Sequence, residues 1–203
     1  MNYNRDFFFL SKKMVKINFF YSNQLQFNIL NCPYNWKKLD NFLNKLERLF
    51  NKNKIYILNE IKRLTGIKWK QKSIDVWLFE GWKSSISYPL LLNTYEYNLD
   101  FCFFNLVHEL IHNNLINFKE LNIKDKIKGW DANELEAIVE LITLNVFKNI
   151  YSEKKLKKMC KLSELDGSYK YVWIRVRELE KEIDFSKTTI IEWCKSKKYV
   201  ISK

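Results

Sequence analysis

Histidine is nearly absent from this 203-residue chain, which has two of them, and there are only four glycines and two prolines. So little glycine and proline excludes collagen-like and Gly/Pro-rich disordered chains. The four cysteines are far apart and form no C-x-x-C pair. This spacing excludes a zinc ribbon and argues against a disulfide framework, so we expect reduced thiols in a cytoplasmic protein.

Long apolar runs are also missing. The N-terminal region contains only the short apolar run 7–10, which Lys12 and Lys13 follow closely, and this is not the pattern of a signal peptide. No segment has the roughly 20 consecutive apolar residues that span a bilayer, so we expect no membrane association. Hydrophobic residues nevertheless make up 47% of the chain and aromatic residues 16%, which is enough for a packed core in a domain of this length.

The formal net charge is +12. Such an excess is typical of lysine-rich solvated faces, and it is also compatible with an acidic partner such as nucleic acid. Neither lysine nor arginine occurs in 84–118 or in 131–147. These two stretches contain the candidate site described below, so nucleic acid is not expected in the cleft of that site.

The apolar periodicity predicts an α+β fold that is mainly helical, with a small mixed or antiparallel sheet packed on one central helix. We expect a single domain over 1–203, with an N-terminal segment 1–33, a core over about 74–150 and C-terminal helices over 151–203. Two strands are predicted over 15–20 and 24–30, and they form a hairpin that turns near Ser22-Asn23. Further strands are predicted over 73–79 and over 86–92. Pro89 favours a sheet edge for the last of these. Two helices are predicted over 36–50 and over 54–64, and the second stops near Gly66. A third begins at Asn98 or Asp100 and ends at 116, and a fourth covers 131–150. In the C-terminal region, one helix is predicted from the apolar stripe Val172, Val176, Leu179 and Ile183, and another over about 188–198.

Both histidines lie within five residues, which read His108-Glu109-Leu110-Ile111-His112. Residues four apart on a helix share one face, so the two imidazoles could bind a single zinc ion. Glu109 lies beside them, where it could take a proton from a water molecule activated by the metal. The sequence therefore predicts a metal site at His108 and His112, with Glu109 as the catalytic base.

A zinc site needs at least one more protein ligand, and with both histidines used it must be a carboxylate or a thiolate. Cys102 lies off the imidazole face and is better explained as a small core residue. The helix over 131–150 offers Glu134, Glu136 and Glu140 in a mostly apolar sequence. A buried carboxylate without a partner is costly, and a metal with its histidines would provide one.

The three carboxylates are not equivalent candidates. Glu134 lies three residues after Asp131 and is expected to form a capping box with it. This favours Glu136 as the third ligand, with Glu140, one turn later, orienting an imidazole through its other nitrogen. Glu140 and Glu134 remain alternative ligands at this point.

The sequence over 74–147 resembles the gluzincin class of zinc peptidases, and the small size resembles the archaeal minigluzincins. In that class HExxH is followed by a helix whose Glu is the third ligand, with an acid four residues later. Here Glu136-Ala137-Ile138-Val139-Glu140 matches, although many relatives have Asp at the second acid. The resemblance implies a zinc endopeptidase that cleaves a peptide or unfolded protein held along the edge strand.

Enzymes of this class often use a further His or a Tyr to stabilise the tetrahedral oxyanion. No third histidine exists here, so the candidates are Tyr169, Tyr171, Arg175 and Arg177, and the sequence does not choose among them. The alternative function is a basic module that binds nucleic acid or protein, with a structural or vestigial zinc site.

Overall fold

The structure is a computed structural model, and it describes residues 15–21, 35–80, 85–116, 132–164 and 169–197. The strands are β1 (Lys16–Tyr21), β2 (Ser73–Phe79), β3 (Ile86–Ser87) and β4 (Leu90–Asn93). The helices are α1 (Trp36–Thr65), α2 (Leu99–Ile116), α3 (Ala132–Phe147), α4 (Glu153–Glu164), α5 (Lys170–Glu182) and α6 (Ile190–Ser196). The predicted α+β class, mainly helical with a small mixed sheet, is confirmed.

The four strands form one sheet in the order β1-β2-β4-β3. β1 pairs in parallel with β2, and β2 pairs in parallel with β4. The predicted strands over 15–20 and 73–79 are confirmed, whereas the second arm predicted over 24–30 lies outside the described residues. In β2, Ile74, Val76 and Leu78 are buried, as their alternation predicts.

The single strand predicted over 86–92 is wrong. The chain turns at Tyr88-Pro89, and the two short strands on either side, β3 and β4, pair antiparallel to each other. Proline lacks a backbone N–H and favours turns, so it divides the strand here. Of these two strands, the two-residue β3 lies at an edge of the sheet, and β4 is an inner strand.

The break predicted between two N-terminal helices is also wrong, because α1 is one helix of 30 residues. The polar stretch over 51–54 contains neither glycine nor proline, and the buried stripe continues past it from Phe50 to Ile57 and Ile61. Tertiary packing therefore stabilises the helix across this stretch, where the local sequence favours a helix only weakly. The helix ends at Gly66, which adopts the left-handed conformation with φ 79°.

Helix α2 is the centre of the fold and is buried on nearly all sides. It contacts α1, α3, α4, β3 and β4. Its apolar residues are almost completely inaccessible to solvent, namely Cys102, Phe103, Phe104, Leu106, Val107, Leu110, Ile111 and Leu115. A helix that is apolar all round belongs in a core, and this one carries both histidines into it.

The C-terminal helices close the other side of the core. The stripe predicted for α5 is confirmed, since Val172, Val176 and Leu179 are buried and pack toward α3. Helix α6 begins after Thr189, whose hydroxyl accepts from the backbone N–H of Glu192 in a capping box. Within the described ranges, none of the helices combines the length and the apolar character that a membrane span needs.

Candidate metal centre

An unusual turn leads into the motif helix. Tyr95, Glu96 and Tyr97 all have positive φ, at 47°, 55° and 65°. Side-chain-bearing residues adopt this conformation at a cost of roughly 1–2 kcal/mol each. The Tyr95 N–H donates to Asn93 Oδ1 at 2.8 Å and the Tyr97 hydroxyl donates to Glu80 Oε2 at 2.6 Å, and these bonds offset part of that cost.

The capping residue of α2 is Asn98, one of the two predicted. Its side-chain oxygen accepts from the Phe101 N–H at 3.1 Å. Asp100 instead lies in the first turn and pairs with Lys155 of α4. The start of the helix is thereby determined, and with it the direction in which the two histidines point.

The structure brings together the three predicted metal ligands. The Nε2 atoms of His108 and His112 are 3.1 Å apart. The two oxygens of Glu136 face one imidazole each, at 3.3 Å from His108 Nε2 and 3.3 Å from His112 Nε2. Helix α2 supplies the histidines and the antiparallel neighbour α3 supplies the carboxylate, so tertiary packing completes the group.

These distances fit a tetrahedral ion. Zinc–nitrogen bonds of about 2.0–2.1 Å at tetrahedral angles place neighbouring ligand atoms roughly 3.3 Å apart. One ligand atom from each of His108, His112 and Glu136 can be chosen such that all lie within 4.8 Å of one another. The side chain of Glu136 keeps 29% of its surface exposed, so the group is open on one side. The cluster can hold a metal ion through two nitrogens and a carboxylate.

Glu140 lies behind His108. Its Oε1 is 3.6 Å from the Nδ1 of His108, the ring nitrogen that does not face Glu136. Glu140 is only 2% exposed, and its Oε2 has no hydrogen-bond partner among the described residues. A carboxyl group at this position is placed to orient the imidazole with its Nε2 directed toward the other two ligands.

Glu134 is engaged elsewhere. Its two oxygens accept from Arg175 of α5 at 2.7 Å and 3.0 Å, a bidentate pair between α3 and α5. Its predicted capping-box partner, Asp131, lies outside the described residues. Of the three carboxylates left open by the sequence, only Glu136 joins the two histidines in the cluster.

Burial and charge oppose each other within the cluster. Burial alone would lower the pKa of His108, but its contacts with Glu136 and Glu140 outweigh burial and raise the pKa well above its ordinary value. Burial would raise the pKa of Glu136, but the hydrogen bonds from both histidines outweigh it and lower the pKa. Burial also raises the pKa of Glu109, and the neighbouring histidines reduce that rise. A carboxyl with a raised pKa is better matched to proton transfer near neutral pH.

A cavity of about 260 Å³ opens beside the cluster. It is lined by Ser85, Tyr95, Phe101, Asn105, His108, Glu109, Glu140, Leu162, Ser163 and Tyr169. Glu109 therefore borders open space next to the histidines. None of these described lining residues is a lysine or an arginine, as the charge distribution predicts.

Of the four candidates for oxyanion stabilisation, only Tyr169 reaches the site. Its hydroxyl donates to Glu136 Oε2 at 3.2 Å, and burial together with the nearby carboxylates raises its pKa, so it keeps its proton. Tyr171 is 70% exposed, and Arg175 is engaged by Glu134. Arg177 lines a different cavity.

Two residues of the site were not anticipated from the sequence. Asn113 follows the second histidine, and its amide donates to the carbonyl of Ser87 in the edge strand. Tyr95 lines the cavity with its hydroxyl 3.0 Å from Ser85 Oγ, and burial raises its pKa to about 12. A buried asparagine side chain needs a hydrogen-bond partner. The position of Asn113 on a helix that is buried is the one feature of the sequence that could have identified it.

The chain was compared with known protein-family models, with curated proteins and with solved structures, and none of them matches it.

Proposed function

We propose that this chain is a zinc-dependent metalloendopeptidase with a gluzincin-like site. The observation that carries the proposal is the convergence of His108, His112 and Glu136, with Glu109 bordering the adjacent cavity. Two imidazoles and one carboxylate, with a further position open, are the ligand set of catalytic zinc in peptidases. Zinc also suits imidazole nitrogen better than magnesium or calcium does.

Zinc held by His108, His112 and Glu136 would supply Lewis-acid chemistry, which lowers the pKa of a water molecule toward about 7 and polarises the scissile carbonyl. Glu109 takes the proton of the attacking water and delivers it to the leaving amine. The raised pKa of Glu109 suits both directions of this transfer. The Tyr169 hydroxyl, which stays protonated, is the hydrogen-bond donor best placed to meet the developing oxyanion.

The proposed substrate is a peptide or an unfolded protein. The edge strand β3 presents backbone groups that an extended chain could pair with, and Asn113 ties this strand to the motif helix. Since β3 has only two residues, we expect a short paired segment and loose sequence selectivity. The cavity beside the cluster then receives one substrate side chain next to Glu109.

The decisive experiment combines metal analysis with cleavage. Purified wild-type protein should contain about one equivalent of zinc per chain and cleave an unfolded protein substrate. Glu109→Gln should keep the zinc and lose the cleavage, because it removes the base and leaves the ligands. His108→Ala and Glu136→Ala should lose both.

Glu180→Gln, which replaces an exposed carboxylate on α5, is the matched control and should retain both properties. Zinc-loaded wild type that cleaves no peptide or unfolded protein, or Glu109→Gln as active as wild type, would contradict the proposal. Cys102, Cys160 and Cys194 are thiols rather than disulfide partners, so we also propose a reducing, cytoplasmic compartment for this activity.

A further inference from the structure

A second, larger cavity lies outside the metal centre. It measures about 1160 Å³ and lies between α4 and the first turn of α2. Six basic residues line it, namely Lys154, Lys155, Lys157, Lys158, Lys161 and Arg177. Two acidic residues line it as well, so the excess of positive charge is four among the described residues.

The acidic residues neutralise two particular lysines. Asp100 Oδ1 lies 2.7 Å from the ammonium of Lys155, and Glu153 Oε1 lies 2.6 Å from that of Lys157. The remaining three lysines of α4 have no ion pair or hydrogen bond among the described residues, namely Lys154, Lys158 and Lys161.

The three unpaired lysines form a stripe, which we call the lysine stripe. Lys154, Lys158 and Lys161 are exposed and occupy positions i, i+4 and i+7, which share one face of a helix. Like charges at this spacing destabilise a helix, and a bound anion would offset that cost. The stripe along a concave surface therefore indicates a polyanion as its ligand.

Phosphate fits the lysine stripe better than carboxylate does. Among the described residues, arginine makes the bidentate pairs with carboxylates, Arg63–Glu60 and Arg175–Glu134, whereas Lys155 and Lys157 each meet a carboxylate through one oxygen. The planar guanidinium matches a carboxylate, whereas the lysine ammonium acts as a point charge that suits phosphate oxygens. A cavity of this size is also far larger than one phosphate group needs.

The lining also indicates which form of nucleic acid fits. None of the described residues that line the cavity is aromatic, so there is no platform on which unpaired bases could stack. Only one arginine is present to make the bidentate contacts that read base edges. We propose that the lysine stripe and its cavity bind the phosphate backbone of a nucleic-acid duplex without sequence specificity.

The test uses the full-length protein and a fluorescein-labelled DNA duplex, with binding followed by anisotropy over a range of salt concentrations. The variant Lys154→Gln/Lys158→Gln/Lys161→Gln should bind at least about tenfold more weakly at low salt. Its plot of log affinity against log salt should be shallower by about 0.9 per lost phosphate contact. Replacing the same three lysines by arginine should preserve binding and the salt slope.

The matched control is Lys45→Gln/Arg48→Gln/Lys52→Gln. These residues are exposed on α1 at positions i, i+3 and i+7 and have no partner in the described structure. The control loses the same net charge away from the cavity, so it should bind within about threefold of wild type. Circular dichroism should show that all variants keep the helical content of wild type.

Three results would overturn the inference: an equal loss of affinity in both glutamine triples, no loss in either, or displacement of the duplex by poly-glutamate as efficient as by unlabelled duplex. Tighter binding of a single strand than of the duplex would contradict the assignment to duplex. The inference is independent of the peptidase proposal, because the cavity lies outside the metal centre. Zinc-free protein and His108→Ala should therefore bind the duplex as wild type does.

Discussion

Glu140 Oε1 lies 3.6 Å from His108 Nδ1, on the side of the imidazole away from the nitrogen that faces Glu136. The carboxylate belongs to α3 and the ring to α2, so the contact spans the two helices that form the metal centre. Glu140 is almost fully buried, so the group beside this nitrogen of the candidate metal ligand is a carboxyl inside the core.

Replacing that carboxyl group should weaken metal binding while leaving the three candidate ligands in place. Glu140→Gln keeps the size of the side chain but removes the charge that orients His108, and we expect zinc affinity to fall by about 10–100-fold. Competition against a chromophoric zinc chelator measures the change. The exposed Glu180→Gln should retain wild-type affinity, and equal affinity of the two variants would show that Glu140 does not act on the metal site.

Asn113 should control the order of the edge strand. Asn113→Ala removes the donor to the Ser87 carbonyl, and we expect a loss of about 1 kcal/mol of stability. Amide hydrogen exchange should accelerate over 85–93 while zinc affinity stays within about twofold of wild type. The control Asn145→Ala loses a bond to a carbonyl of its own helix and one accepted from the nearby Lys148. Neither bond involves the edge strand, so this variant should leave exchange over 85–93 unchanged. Unchanged exchange in Asn113→Ala would contradict the tie between helix and strand.

The charge cluster on α5 predicts a pH dependence of stability. Glu182 accepts from Arg175 at 2.8 Å and lies 3.3 Å from Lys197 Nζ. Its hydrogen bond with Arg175 outweighs the effect of burial and lowers the pKa of Glu182. A lowered carboxyl pKa stabilises the fold above the unfolded-state value, about 4.3, and this stabilisation is lost as the pH falls through the folded-state pKa.

Wild type should therefore be more stable than Glu182→Gln at pH 7, and the difference should shrink below about pH 4.3. Urea unfolding of both proteins at several pH values measures it. Glu180→Gln, on the same helix but exposed, should show no such trend. A difference that stays constant down to low pH would rule out the Arg175 contact as its source.

Gly66 should tolerate no side chain. Its φ of 79° is strained for any other residue, and a Cβ there would lie 2.8 Å from Thr189 Oγ1, which caps α6. We expect Gly66→Ala to lower the free energy of unfolding by at least about 1–2 kcal/mol. Urea denaturation gives the value, with Lys68→Ala, an exposed neighbour, as control. Equal urea midpoints for these two variants would refute the close approach of Gly66 and Thr189.

Much of the candidate site could be predicted because its components are local. His108 and His112 lie one helical turn apart, as do Glu136 and Glu140, so each pair shares a face of its own helix in any fold that keeps the helices. The burial of α3 and the cost of an unpaired carboxylate also favoured Glu136 over Glu134. The pairing of Glu134 with Arg175 could not be predicted, because the two residues are 41 positions apart and meet only when α3 packs on α5.

The wrong predictions about the fold also arise because tertiary packing is not visible in the local sequence. The polar stretch over 51–54 predicts a break, yet α1 continues because the stripe on both sides of it packs into one core. Pro89 predicts an edge strand over 86–92, but the chain reverses there, so β3 lies at the edge and β4 is an inner strand. Propensity along the chain is a weak constraint when packing on both sides of a segment favours another conformation.

The sequence by itself determined the chemistry that each helix carries, because side-chain type and helical period are properties of a short segment. Two histidines one turn apart and a carboxylate on an apolar helix follow from residue order alone. The tertiary structure decided which of these groups meet: it placed Glu136 against both imidazoles, Glu140 behind His108, and Tyr169 and Asn113 around them. Such meetings depend on how whole helices and strands bury their apolar faces against one another, and that is a property of the complete core.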